Sequence, residues 1–189
     1  MFLVALAAVF FGWVAWNLQE RQKEQAAISW IQNMGGQVVF HSKTKPDEKG
    51  WWEKCEDSWF GERVRLAGLQ NVKECDFSQL SEFKNIEDLA LSNSVISDLS
   101  PLEGLVNLDE LYLEYTNVQD LTPLANLHNL EMLHLDGTPV DDLKPLANLK
   151  NLKWLKLRNT LLSEEDVQSL RIELPGCDIV YSPISKMNE

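Results

Sequence analysis

The chain is 189 residues long and carries a formal net charge of -12 at pH 7, a length that suits one domain with an appendage better than two full domains. The acid excess falls almost wholly after residue 18 and repels phosphate backbones and anionic lipid headgroups, which argues against nucleic acid as a partner. Cys55, Cys75 and Cys177 are widely spaced and form no C-x-x-C pair, so neither a structural zinc site nor a thioredoxin-like redox motif is expected. Inert thiols are the default, and Cys55 with Cys75 is the one pair near enough in sequence to bond in an oxidising compartment.

Phe2 to Trp16, FLVALAAVFFGWVAW, holds no charge. It is shorter than the ~20 residues of a typical membrane span and longer than a signal-peptide core or buried helix of about 10 to 14. With no basic leader before it and no small-x-small site after it, the segment reads as an uncleaved anchor helix over residues 1–18. Trp13 and Trp16 suit an interfacial belt. Arg21 and Lys23 are offset by Glu20 and Glu24 and leave the side of the membrane open. The competing reading is an apolar helix packed on the rest of the chain.

Gln19 to Met34 has the spacing of a helix, with Ala26, Ala27, Trp30, Ile31 and Met34 on one face and Gly35 and Gly36 to stop it. Gln37 to His41 alternates as a strand, and the polar run SKTKPDEKG is a loop. Trp51, Trp52, Trp59 and Phe60 then crowd WWEKCEDSWF. Aromatics at that density either bind a ligand or plug the open end of a repeat stack, and the plug is the simpler expectation. Residues 19–63 are therefore read as an α+β N-terminal cap.

Three runs then superpose at a period of 22: LSPLEGLVNLDELYLEYTNVQD from Leu99, LTPLANLHNLEMLHLDGTPVDD from Leu121 and LKPLANLKNLKWLKLRNTLLSE from Leu143. A looser copy starts at Phe77, and Val64 with Leu66 resembles the strand of a further unit although it lies 25 residues before Leu89 and Leu91. No unit can bury its leucines alone, so units stack and the leucines merge into one core. In each unit the L-x-L pair, such as Leu111 and Leu113, is a strand with both leucines inward and Tyr112 outward. Leu99, Leu102 and Leu105 suit a short helical or 3₁₀ turn opposite, with Pro101, Pro123 and Pro145 in its first turn.

This pattern resembles the 22-residue, internalin-like class of the leucine-rich-repeat family, and the likeness covers residues 64–162. The resemblance implies an α/β fold: a short solenoid with a parallel sheet on one side and turns on the other, working by binding rather than by catalysis. One departure stands out. The family's consensus asparagine is replaced by Ser94, Thr116, Thr138 and Thr160, whose hydroxyls offer fewer partners than an amide. The layout as a whole is similar to membrane-anchored repeat proteins of planctomycete bacteria. Residues 163–189 close the stack, with a capping-box-like Ser163 and Asp166 before a helix, SEEDVQSLRIEL, and a strand over Cys177 to Tyr181.

The template also assigns the outward side chains. One column runs Asp88, Glu110, Met132, Trp154; the next Ala90, Tyr112, His134, Lys156; the third Ser92, Glu114, Asp136, Arg158, with Asn93, Tyr115, Gly137 and Asn159 at the strand ends. Trp154, Tyr112, Tyr115 and Met132 are the residue types enriched in binding hot spots. The candidate partner-binding set is Glu110, Tyr112, Glu114, Tyr115, Met132, His134, Asp136, Trp154, Lys156 and Arg158. Glu114, Asp136 and His134 superficially suit acid-base chemistry, but Lys156 and Arg158 beside them make charge compensation the plainer account. His41, His128 and His134 lack metal-ligand spacing, so no metal, cofactor or small-molecule substrate is expected. The expectation is a membrane-tethered, single-pass module whose strand face binds a protein or a surface polysaccharide. The alternative is a structural spacer or envelope component with no ligand on that face.

Overall fold

A computed structural model describes residues 2–40, 64–69 and 76–184, except for the side chains of residues 2–14, 17, 20, 38–40 and 64–66. His41, the polar loop after it, the aromatic segment of Trp51 to Phe60, Cys55 and Cys75 all lie outside the described residues.

Helix α1 (Phe2–Asn33) is continuous from the apolar segment into the cap. It buries Ala27, Ile28 and Ile31 against the first repeat, and the Trp30 ring meets Phe77 edge-on at 6.4 Å. The expected face is displaced: Ala26 is exposed, and Met34 is 41% exposed because it has already left the helix. Gly35 takes a φ of +77°, which lets the chain turn, and the Gly36 N–H caps the helix by donating to the Ile31 carbonyl. A Cβ on Gly36 would stand 2.5 Å from the Gly68 carbonyl, so the corner admits no side chain. Among the described residues no helix is long and apolar enough to cross a membrane. The anchor helix expected over residues 1–18 falls short of such a span.

Among the described residues, seven strands form one sheet in chain order. Strand β1 (Gln37–Phe40) pairs antiparallel with β2 (Val64–Gly68). The remainder, β3 (Asp88–Ala90), β4 (Glu110–Tyr112), β5 (Met132–His134), β6 (Trp154–Thr160) and β7 (Asp178–Pro183), continue parallel to β2. The opposite side carries 3₁₀ turns η1 (Phe77–Glu82), η2 (Ser100–Leu102), η3 (Thr122–Leu124) and η4 (Lys144–Asn148).

Each turn is opened by an aspartate two residues upstream of the N–H it caps. The carboxylates of Asp76, Asp98, Asp120 and Asp142 accept from the N–H of Ser78, Ser100, Thr122 and Lys144 at 2.8 to 2.9 Å. Backbone and side-chain hydrogen bonds from Ser78 and Ser100 hold Asp76 and Asp98 below the usual carboxylate range, as those from Thr122 hold Asp120. Part of the acid excess is thus structural.

The leucines of successive turns and strands, Leu102, Leu105, Leu108, Leu111 and Leu113 in one unit, are fully buried and join one core from α1 to β7. Each fully buried leucine contributes roughly 1.5–3 kcal/mol against exposure, so the repeated pattern is what holds the stack. The first unit corrects the sequence reading. Ala67 pairs with Leu89, and the buried inward pair is Ala67 and Leu69 rather than Val64 and Leu66. The spacing of 22 is therefore kept from the first strand onward, and a small alanine in place of leucine disguised it.

At the far end, the Ser163 hydroxyl and the Asp166 carboxylate cap each other's backbone N–H, so the shorter acid completes the box before α2 (Glu164–Glu173). Val167, Leu170 and Leu174 are buried, whereas Ile172 is 80% exposed and is not part of the face expected for it. Strand β7 runs two residues beyond the expected Tyr181. Its Cys177 neighbour is half-buried, and burial pushes that thiol up to about 11, leaving it inert at neutral pH.

Candidate functional site

The register of β3 to β6 assembles the outward columns. Asp88, Glu110, Met132 and Trp154 are neighbours across successive strands, as are Ala90, Tyr112, His134 and Lys156. Adjacent members are therefore ~4.8 Å apart. At the strand ends Asn93, Tyr115, Gly137 and Asn159 all take positive φ, between 55° and 71°, and turn the chain off the sheet. For a residue as bulky as tyrosine this conformation is uncommon. Tyr115 is accommodated because its neighbour is glycine: a Cβ on Gly137 would lie 2.5 Å from the Tyr115 Cδ1.

The face has a buried polar centre and exposed flanks. Glu114 accepts from the Ser92 hydroxyl on one side and meets His134 Nδ1 at 2.8 Å on the other. Ser92 and His134 are only 8% and 7% exposed. The edge of one ring faces the other where Tyr112 meets His134, with centroids 4.7 Å apart. The imidazole is thus covered by Tyr112 and presents little surface to a partner, although the strand alternation aims it outward. Burial opposes ionisation of Glu114, but hydrogen bonds from Ser92, its own backbone N–H and His134 outweigh it and hold the carboxyl below its usual value.

The Tyr112 hydroxyl donates to Glu110 Oε2 and lies 3.5 Å from the Met132 sulfur. Burial first, then the bond to Glu110 and the surrounding carboxylates, push its phenol upward. Asp136 accepts from the Arg158 backbone N–H at 2.7 Å rather than pairing with the guanidinium. Glu114 is thus tied to Ser92 and His134, and Asp136 to the chain. Ser92 is not set up as a nucleophile, since its hydroxyl donates to a carboxylate and not to the imidazole. Trp154 is 48% and Tyr115 61% exposed at the margins of this network, and Arg158 is exposed while Lys156 is half-buried.

The hydroxyls that replace the consensus asparagine behave in two ways. Thr116, Thr138 and Thr160 are buried and donate to the carbonyls of Leu113, Leu135 and Leu157 in their own units. Ser94 instead donates to the Leu69 carbonyl of the preceding unit. The unit-to-unit bonding expected of an amide is supplied elsewhere, by residues the sequence reading passed over. Asn107, Asn129 and Asn151 donate to the carbonyls of Lys84, Val106 and His128, each in the unit before, at 2.7 to 2.9 Å. Their 22-residue spacing, each before a buried leucine, was a sufficient signal.

Comparison with known proteins agrees with this architecture. Residues 106–148 match the family model described as Leucine Rich repeats (2 copies). The chain is similar to an internalin (inlF) of Listeria monocytogenes at 30% identity and a TM-score of 0.53, over 61% of this chain and 33% of that one. It is similar to internalin C2 of the same organism at 34% identity and a TM-score of 0.51, over 58% of this chain and 50% of that one. The chain thus spans a third to a half of the length of these internalins. The ectodomain of the receptor kinase SOBIR1 from Arabidopsis thaliana shares the fold at 16% identity and a TM-score of 0.62, over 86% of this chain and 92% of that one. No curated protein sequence matches. The described stack from β2 to β7 thus has the fold of these leucine-rich-repeat structures, and residues 106–148 carry the repeat itself.

Proposed function

We propose that the chain is a protein-interaction module that binds its partner through the strand face of the repeats, around Tyr112, Met132 and Trp154, and performs no chemistry there. The observation that carries this reading is Trp154. The positions equivalent to it in the preceding units are Asp88, Glu110 and Met132, so the stack requires no aromatic there, yet an indole stands 48% exposed beside Met132 on a regular sheet. Large aromatics clustered on an exposed face mark binding surfaces, and Trp and Tyr dominate binding hot spots. Glu110, Glu114, Tyr115, Asp136, Lys156 and Arg158 frame the cluster. His134 contributes by fixing Glu114 and Tyr112 from beneath.

The same reading includes a tether. The uncharged Phe2 to Trp16 segment leads into the helix that closes the solenoid, and the layout resembles that of membrane-anchored repeat proteins of planctomycete bacteria. Carbonate extraction of membranes tests the tether: the full chain should stay in the pellet, and recovery in the supernatant overturns it. Crosslinking of the native protein tests the face. Trp154→Ala with Tyr112→Ala should lose one specific partner protein that the parent chain captures, and an unchanged set of partners refutes the strand-face site.

A further inference from the structure

From β3 to β6 the charge on the strand face changes sign along the repeat axis, and β7 then returns one acid, Asp178, beside Trp154. The units of β3, β4 and β5 place Glu87, Asp88, Asp109, Glu110, Glu114, Glu131 and Asp136 on or beside it. The unit of β6 places Lys153 and Arg158 at the positions of Glu131 and Asp136, and adds Lys156 in the column of Tyr112 and His134. Lys153 is engaged by Glu131. Among the described residues the Lys156 ammonium and the Arg158 guanidinium form no hydrogen bond or ion pair, since Arg158 meets Asp136 only through its backbone. Met132 on β5 and Trp154 on β6 make an apolar step beside this reversal of sign.

Resting on the strand-face reading above, we infer that the partner presents an extended polypeptide segment that carries charges of opposite sign and is held in one direction. Its acidic residue sits over Lys156 and Arg158, its basic residue over Glu110, and an apolar side chain between them on Met132 and Trp154. The chemistry selects this occupant. A neutral polysaccharide has nothing to match the reversal of sign, and a second copy of a chain with net charge -12 meets repulsion over most of its surface. The geometry sets the length. From Glu110 on β4 to Lys156 on β6, two strand spacings across and two residues along, is ~12 Å, which an extended peptide rising ~3.3 Å per residue covers with charges four residues apart. Same-side residues of such a peptide recur every second position, so the apolar side chain falls between the charged ones.

The test is a display selection in which random nine-residue peptides are panned on the full chain. The winners are then rebound to Lys156→Glu with Arg158→Glu, to the milder Lys156→Gln with Arg158→Gln, and to Trp154→Ala with Tyr112→Ala. The expected winners carry an acidic and a basic residue four positions apart in one consistent order, with an apolar residue midway between. Their binding should fall about tenfold with charge reversal, less with the glutamine pair, and further as salt is raised. Winners without the charge pattern, or winners bound equally by the charge-reversed chain, overturn the inference. If the aromatic variant alone abolishes binding, the strand face remains the site and only the polarity is wrong. If no variant matters, or nothing is enriched, both fall.

Discussion

The two sides of the sheet obey different rules. On the inner side every unit repeats the same solution, with Leu89 and Leu91, Leu111 and Leu113, Leu133 and Leu135, and Leu155 and Leu157 all fully buried. On the outer side no two units agree: the same position holds Asp88, Glu110, Met132 and Trp154 in turn. The inner side is constrained because each leucine packs against its counterparts above and below, so a change in one unit is felt by two others. The outer side has cross-strand contacts too, but they differ from unit to unit, and its variation is available for recognition. A substitution that respects this division should affect either folding or binding, not both.

The largest effect is expected inside. Leu133→Asp puts an unpaired carboxylate into a site with no accessible surface, at a cost of several kcal/mol against a total stability of about 5–15. Circular dichroism should show the stack unfolded, and a folded Leu133→Asp protein means that the inner register is misassigned. Next comes the strand end. Gly137→Ala forces alanine to a φ of +71° and drives its Cβ into the Tyr115 ring, for a loss of about 1–3 kcal/mol. Gly176→Ala, which meets nothing within 4 Å, serves as the control and should leave the denaturation midpoint in place.

How much of this was legible in advance differs between the two sides for the same reason. The buried leucines announced themselves by period, and so did the outward columns, because strand alternation fixes both at once. Two things escaped. Ala67 is an inward residue too small to register in an apolar template, so the first unit seemed out of step until the pairing of Ala67 with Leu89 restored it. The burial of His134 was also unreadable, because it depends on the Tyr112 ring of the neighbouring strand lying across it, and a column read from spacing carries no side-chain conformation. Exposed Ile172 makes the converse point: apolar character alone does not assign a face on a short terminal helix.

The amide ladder sharpens the comparison at a smaller scale. Asn129→Ala removes a bond between units, to the Val106 carbonyl, and should cost roughly 0.5–1.5 kcal/mol in urea denaturation. Acid should act through Glu114. Its carboxyl is held below the usual 4.5, so its contribution is complete above that pH and is lost as the pH falls through the folded-state value. Glu114→Gln should flatten the acid limb of the stability profile, and an identical acid limb in both proteins removes the Ser92, Glu114 and His134 network from the account. Trp154→Ala, on the outer side, should shift stability by no more than about 0.5 kcal/mol while abolishing capture of the partner.

The asparagine bonds have one more consequence. Because Asn107, Asn129 and Asn151 each hook the unit before them in the same way, and the threonines satisfy themselves within their own units, one unit's joint is interchangeable with the next. A tandem duplication of residues 121–142 therefore finds a ready-made socket on both sides. Such an insertion lengthens the molecule by one rung of ~4.8 Å and carries Trp154, Lys156 and Arg158 that much farther from Glu110. The solenoid acts as a graduated ruler, whose length evolution or an engineer can reset in whole rungs without redesigning either end.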